Sequence, residues 1–512
     1  MTDDGAPTRR GPFRLMLRRH YRAVVTLACG VLAGLITWAS NGSMLTDGFA
    51  FDQAAYTAAG RRSPSQPDAE SAVVVVQLGE QSLAAPEFAA PRTFLAPQWS
   101  ALIDALVAAD VKAMGFVFLF AISANDFKPI APNYDQSFLS SLNQNQDRIT
   151  LGRSVQIQPA RPYLFAVGGN MDDNSLGYVE TLPDSDGIFR RYRSFAQDED
   201  NSVWPTLMSG TLAKAGVTDI PPHVLWAPRG PAEVVVPSYS MVDVLRCAEK
   251  PEILRAAFAG KVVFIGSGLA DEDRKLTADH VFPIAPNLVA DHRPPADEGC
   301  RLAQVGVSNP NNGIPGVYLH ALAADAILRS RNIAEVPKWV TALVAAIMSA
   351  GAAATAFHLR PTLSGAFLIV GSVWAMLIDA ALLGRLLWVP PSFGIIGSVL
   401  SVGAAFGARY LVEERRRRQV QHAFCHYLSP VVVARLASGN EGLRLGGETR
   451  DITVMFADLS GFTALSGRVG PTELMEITNR YLAFIVDATE ESSGYVDKFI
   501  GDAVMAVFGS PV

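Results

Sequence analysis

Two aspartates near the end of the 512-residue chain have surroundings suited to phosphate chemistry. Asp458 follows the alternating apolar run Asp451 to Ala457 (DITVMFA), which reads as a strand. A tight polar turn comes next, Leu459-Ser460-Gly461-Phe462-Thr463, whose glycine lets backbone approach a ligand. Backbone N–H groups in such a turn could hold phosphate oxygens, as helix N-termini do. Asp502 sits near the tip of a hairpin, between strands expected at Tyr495 to Phe499 and Ala503 to Phe508. A helix from Pro471 to Ser492, with Leu474, Ile477, Tyr481, Leu482 and Ile485 on one face, separates the two motifs. If the hairpin packs beside the first strand, the carboxylates meet. Two carboxylates with triphosphate oxygens suit Mg²⁺, a hard ion with few protein ligands. A pair of such ions can activate a 3′-hydroxyl and stabilise a leaving pyrophosphate. Strand-end aspartates are common, and spacing alone favours ordinary turn residues.

The rest of the chain decides where this chemistry would take place. Hydrophobic residues make up 49% and charged residues 18%, below the roughly 25% usual in soluble domains. This argues against a purely soluble enzyme and against a disordered chain. The net charge of −6 argues against a general nucleic-acid binder, which needs a basic face. Four cysteines exclude a disulfide-dense scaffold.

The apolar excess sits in four stretches, at residues 23–40, 339–357, 363–383 and 393–412. At a helical rise of about 1.5 Å per residue, each crosses a bilayer core of about 30 Å. Arg9, Arg10, Arg14, Arg18, Arg19 and Arg22 precede the first span, and Arg415 to Arg418 follow the last. The positive-inside rule then puts both termini in the cytoplasm, with 1–22 as a cytoplasmic basic N-terminus and 413–446 as cytoplasmic linker helices. A cleaved signal peptide is the alternative for the first span, but no convincing small-residue cleavage site follows it. Ser429-Pro430 reads as a fresh helix start, with Val431 to Leu436 helical. Asp379 falls inside the third span, towards its outer end, where it is expected to reach water. Residues 41–338 form a long translocated loop. Cys247 and Cys300 lie in it, where a disulfide can form, although their distance is not readable. Cys29, in a span, and cytoplasmic Cys425 are expected to be unpaired.

The loop reads as layered α/β. AVVVVQL (Ala72 to Leu78), KAMGFVFLF (Lys112 to Phe120), RITLGRS, YLFAVGG and KVVFIGS are expected strands. Ser100 to Ala109 and Gly316 to Arg329 are expected helices. His280, His292, Asp271, Glu272 and Asp273 could be taken for a metal cluster, but a solvated loop is the expected reading. His320, on the closing helix, is expected to be buried and satisfied.

The order of segments resembles the extracytoplasmic CHASE sensor of the second type. The matching pieces are the AVVVVQL and GFVFLF strands, SDGIFRRYR (Ser185 to Arg193), KVVFIGSGLADEDRKLTADH, and PGVYLHALAADAIL (Pro315 to Leu328). The family often has acids after the first strand and inside the second, where this chain has Gly79 and Val117. The resemblance implies sensing of an unknown extracytoplasmic ligand.

At the other end, GGETRDITVMFADLSGFT followed by DKFIGDAVMAVFG resembles the catalytic core of class III adenylate/guanylate cyclases. That resemblance implies a ferredoxin-like α+β domain acting as a homodimer, with active sites between chains. It makes Asp458 and Asp502 the ligands of two Mg²⁺ or Mn²⁺ ions. It makes Leu459, Ser460, Gly461, Phe462 and Thr463 the phosphate cradle. Lys498 matches the position that reads the purine. A lysine can donate to adenine N1 but cannot accept from guanine N1–H, so ATP is expected over GTP.

The expected fold class is therefore a multi-domain membrane protein. It has an α/β extracytoplasmic sensor, four transmembrane helices, and the N-terminal half of a cyclase domain at 447–512. The expected function is a receptor-type adenylate cyclase of a bacterial inner membrane, with a periplasmic sensor, a cytoplasmic catalytic domain and no nucleic-acid partner. Its reaction, that of a phosphorus-oxygen lyase, would yield 3′,5′-cyclic AMP and pyrophosphate. A guanylate cyclase and a non-catalytic membrane sensor are the alternatives. Because the family's domain needs roughly as much chain again, the 512 residues alone are expected to be inactive.

Overall fold

The computed structural model describes residues 20–40, 44–60, 71–127, 133–168, 174–197, 201–226, 236–269, 271–277, 299–305, 313–424, 449 and 451–509. The chain divides into two compact units between Ala405 and Phe406.

Four helices in the described residues are long and apolar enough to cross a membrane: Tyr21–Ala39, Lys338–His358, Pro361–Leu383 and Ser392–Arg415. The last belongs to a continuous helix, Ser392–Phe424. Leu27, Val31, Phe367 and Trp374 are exposed on these helices, as side chains that meet lipid should be. Small residues join the first span to the second. Gly30 and Gly34 face Ala346 and Ala342, so close that a Cβ on Gly30 would lie 3.0 Å from the Ala346 carbonyl oxygen. Such small-residue seams are how helices approach without a hydrophobic driving force.

The loop between the first two spans opens with a helix, α1 (Met44–Gly60), not foreseen from the sequence. The domain it enters is built on strands β1 (Val73–Leu78), β2 (Ala113–Phe116), β3 (Ile149–Arg153), β4 (Leu176–Tyr178), β5 (Ser238–Ser240) and β6 (Val262–Ser267). They form one all-parallel sheet in the order β4-β3-β2-β6-β1-β5. Parallel strands are covered on both faces, which explains the unbroken valine run in β1. Its Val74, Val76 and Leu78 join one core, with α2 (Ala96–Ala108) and α3 (Gln136–Gln144) against it. Its Val73 and Val75 join the other, with α4 (Leu207–Lys214) and α5 (Val317–Leu328). Cys247 and Cys300 form a disulfide across 53 residues of chain, the pairing that sequence left open. Cys29 is free, and Cys425 lies outside the described residues.

Three expectations need correction. YLFAVGG is not a strand: Arg161–Ala166 is helical, with Pro162 in the first turn, a position proline favours. KAMGFVFLF is a strand only as far as Phe116. After Val117 donates to the Ile265 carbonyl (2.8 Å), Phe118 and Phe120 turn into an aromatic cluster instead. Asp379 does not reach water. It is buried, and its Oδ1 accepts the Val389 N–H at 3.4 Å, while buried Asp47 of α1 accepts the Ser392 N–H at 3.1 Å. The two carboxylates hold the connection between the third and fourth spans.

His320 is buried as expected, its Nδ1 2.6 Å from the Tyr192 hydroxyl. Burial pushes its pKa from 6.5 down to about 4. Between those two values the unfolded chain binds a proton that the folded chain does not. This group's stability contribution is therefore full above pH 6.5 and is lost as pH falls towards about 4. Asp184, raised by burial to about 6, works in the opposite direction over an overlapping range. A His320→Gln variant isolates the histidine, because Asp184 is common to both proteins. The melting-temperature advantage of wild type over the variant should shrink as pH is lowered through this window. An advantage independent of pH would contradict the assignment.

Candidate active site

The second unit contains β7 (Thr453–Ala457), α6 (Phe462–Ser466), α7 (Pro471–Glu491), β8 (Gly494–Ile500) and β9 (Ala503–Phe508). Its antiparallel sheet has the order β7-β9-β8. The hairpin strand β9 therefore lies directly beside β7, the condition under which the two aspartates could meet. Ala457 pairs with Val504, and Ile500 pairs with Ala503. Asp458, one residue past β7, thus lies at the same sheet end as Asp502 in the two-residue turn Gly501-Asp502. Gly501 has φ +64°, a conformation glycine adopts without steric cost. Asp458 is exposed and Asp502 half-buried.

The turn after Asp458 is held by two backbone bonds. Phe462 N–H donates to the Leu459 carbonyl (3.1 Å), and Leu465 N–H donates to the Gly461 carbonyl (3.0 Å). Gly461, at φ +78°, is the residue that starts α6. The Phe462 N–H already has its partner, so a phosphate held here would rely on other N–H groups of the Leu459 to Thr463 turn. Lys498 lies on β8, the strand farther from β7, opposite Met505 and beside a register shift. It is exposed, with Nζ 3.3 Å from Asp497 Oδ2. The structure thus brings Asp458, the turn and Asp502 to one sheet end and leaves Lys498 on the outer strand.

The chemistry of this donor set fits a divalent hard cation. Two carboxylates supply charge and oxygen, leaving the remaining positions for water and phosphate oxygens. Among the described residues there is no group of three or more His, Cys, Asp or Glu arranged for a metal ion. Glu272, in the suspected loop cluster, instead accepts from Arg92 (2.6 Å) and Ser267 (2.7 Å), and Asp273 pairs with Lys275 (2.8 Å). His280 and His292 lie outside the described residues, as do Ser429 to Leu436.

Apolar side chains remain uncovered in this unit. Phe456 on β7, Met475 and Phe484 on α7, and Phe499 on β8 are each more than half exposed. Large apolar groups left exposed are candidates for burial against a partner surface.

Sequence reasoning missed a polar network in the first unit. Arg190, in SDGIFRRYR, is buried. It grips Asp52 of α1 through Nε–Oδ1 (2.7 Å) and Nη2–Oδ2 (2.6 Å), and its Nη1 reaches Asp186 Oδ2 at 2.7 Å. Arg191 reaches Glu335, just before the second span, at 2.7 Å. The only signal was the juxtaposed acids and arginines of the motif itself.

The described residues thus hold a parallel α/β domain between candidate membrane helices, and two aspartates at one sheet end after the last of those helices. The comparisons with known proteins make both halves specific. The CHASE2 domain model matches residues 27–356, and the chain belongs to that family. The adenylate and guanylate cyclase catalytic domain model matches residues 447–512. Among curated proteins, the chain is 41% identical over 71 residues to an adenylate cyclase of Anabaena cylindrica, covering 14% of each chain. It is 35% identical over 97 residues to the uncharacterized protein Rv1318c of Mycobacterium tuberculosis, covering 19% of this chain and 18% of that one. It is 38% identical over 97 residues to the uncharacterized protein Rv1320c of the same organism, covering 19% and 17%. The chain spans less than a fifth of the length of these relatives. No solved structure matches. The chain therefore combines a CHASE2 domain, four candidate membrane helices and a segment that matches the cyclase catalytic domain.

Proposed function

We propose that the protein is an adenylate cyclase of a bacterial inner membrane, controlled by a signal outside the cytoplasm. The observation that carries this reading is the placement of Asp458 and Asp502 at one sheet end within the segment that resembles cyclases. Asp458 and Asp502 would hold two Mg²⁺ or Mn²⁺ ions, which when bound would supply Lewis acidity where the ATP 3′-hydroxyl attacks the α-phosphorus and pyrophosphate departs. Backbone N–H groups of the Leu459 to Thr463 turn orient the phosphates. Lys498 donates to adenine N1 across a homodimer interface, reaching the aspartates of a second copy. The exposed apolar groups Phe456, Met475, Phe484 and Phe499 support such an interface. The arginines around the first span and after the fourth put both termini and the catalytic segment in the cytoplasm, with the CHASE2 domain in the periplasm.

Lys498 tests the nucleotide choice. Losing a charge-assisted hydrogen bond costs about 1.5–3 kcal/mol, or roughly 10–150-fold in rate. Lys498→Glu in the full-length protein should lower kcat/KM for ATP by about that factor while raising the relative use of GTP, since a carboxylate accepts from guanine N1–H. An unchanged ATP-to-GTP ratio would refute the role. Wild-type preference for GTP would make the protein a guanylate cyclase, and no turnover of either nucleotide would leave a non-catalytic sensor.

A further inference from the structure

The sensor domain contains a cavity of about 240 Å³ at the carboxyl ends of β1 and β2. Leu78 ends β1 there, and residues 118–122, just past β2, form another wall. Chain order reverses at this point of the sheet. The strands run outwards from β1 through β2 and β3 to β4, then return to β5 on the other side and insert β6 between β1 and β2. In open parallel sheets, ligands bind outside the carboxyl strand ends at such a reversal. An apolar cavity of about 150 Å³ is enough to admit benzene, so this one has room for a ring and a small head group.

Its walls are aromatic. Trp99 lies 5.0 Å from Phe118 and 5.6 Å from Phe120, ring centre to ring centre, and Phe120 lies 5.9 Å from Tyr163. Phe120 has φ +37°, a strained conformation for a bulky residue, and strain of this kind clusters at ligand sites. Its carbonyl is held by the Ala160 N–H at 2.9 Å. Tyr163 donates its hydroxyl to buried Asp135 at 2.7 Å, which fixes the ring edge in place. Among the described residues that line the cavity, Arg92 is the one charged side chain and none is acidic. Arg92 Nη1 contacts Glu272 at 2.6 Å, while a guanidinium carries five N–H donors.

We propose that this cavity is the sensor's ligand site and takes a small aromatic carboxylate, its ring among Trp99, Phe118 and Phe120 and its carboxylate on Arg92. This deepens the receptor reading and rests on it for its biological meaning. The incoming carboxylate competes with Glu272 for Arg92. Glu272 belongs to the segment 271–277, which bonds to the start of α5 and to the residue before Arg190. Asp273 accepts the Gly316 N–H (2.9 Å) at the start of α5, and Phe189 N–H, beside Arg190, donates to Leu276 (2.8 Å).

The test uses the full chain in lipid nanodiscs without nucleotide, so its outcome does not depend on cyclase activity. Phenylacetate and its neutral isostere phenylacetamide are titrated by calorimetry and by tryptophan fluorescence, with Trp99→Phe as the reference. Phenylacetate should bind saturably and more tightly than phenylacetamide. Arg92→Gln should weaken phenylacetate roughly tenfold or more and leave phenylacetamide unchanged. Arg92 is largely exposed, with 45% of its side-chain surface accessible, so the variant should fold. Absence of saturable binding, equal binding of the two probes, or phenylacetate binding indifferent to Arg92→Gln would each overturn the proposal.

Discussion

Asp458→Ala in the full-length protein is expected to lower cyclic nucleotide formation by about three decades or more while leaving the fold intact. The first half of that expectation comes from chemistry. A carboxylate that holds a catalytic divalent ion controls several kcal/mol of transition-state charge stabilisation, and each 1.36 kcal/mol is a decade in rate. The second half comes from its position. Asp458 is exposed and lies one residue beyond the last pair of β7. Surface substitutions away from buried networks usually stay within about 0.5 kcal/mol in stability. Asp502→Ala should behave alike, because its turn is set by Gly501 rather than by the aspartate side chain. Unchanged turnover in either variant, with the melting temperature preserved, would remove that aspartate from the metal site. Loss of activity together with loss of folding would point to a structural role instead.

The largest stability effect is expected at Arg190. It is 2% exposed, and its main partner Asp52 is 3% exposed. Breaking a buried pair by removing one partner leaves an uncompensated charge and costs about 3–5 kcal/mol. Arg190→Ala should destabilise the sensor by that order. Arg190→Lys should not rescue it, because a single ammonium cannot reproduce the side-on grip on Asp52 together with the contact to Asp186. Asp52→Asn combined with Arg190→Ala should cost clearly less than the two separate losses added together, as expected for coupled groups. Thermal unfolding of the full chain in nanodiscs reads all three. A loss below about 1 kcal/mol for Arg190→Ala would mean that the network is dispensable. Because Asp52 lies on α1, directly after the first span, the same variant should also loosen the link between that span and the sheet.

How much of this was legible in the sequence depended on how local each feature is. The four spans were legible because length and absence of charge are properties of a single segment. β1 was legible because a doubly covered parallel strand needs no alternation. The paired aspartates were legible as a condition, since a two-residue turn fixes the register of β8 on β9. What sequence could not give was the order β7-β9-β8, which makes the condition true. YLFAVGG misled because a short apolar run fits a strand or a buried helical turn equally well; Pro162 carried the deciding information. Contacts between distant parts of the chain were out of reach. Asp52 and Arg190 are separated by 138 positions, and Cys247 and Cys300 by 53. Nothing local to Asp379 foretold that it and Asp47, from another helix, would hold the turn that starts the fourth span.

On the proposed function, one chain senses on one side of a membrane and makes a cyclic nucleotide on the other. Sealed membrane vesicles of both orientations that carry the full-length protein give the deciding measurement, with ATP and Mg²⁺ added only to the outer medium. Inverted vesicles, whose cytoplasmic face points outwards, should form cyclic AMP, and right-side-out vesicles should form it only after detergent opens them. Formation by intact right-side-out vesicles alone, or by neither preparation even after opening, would contradict the account.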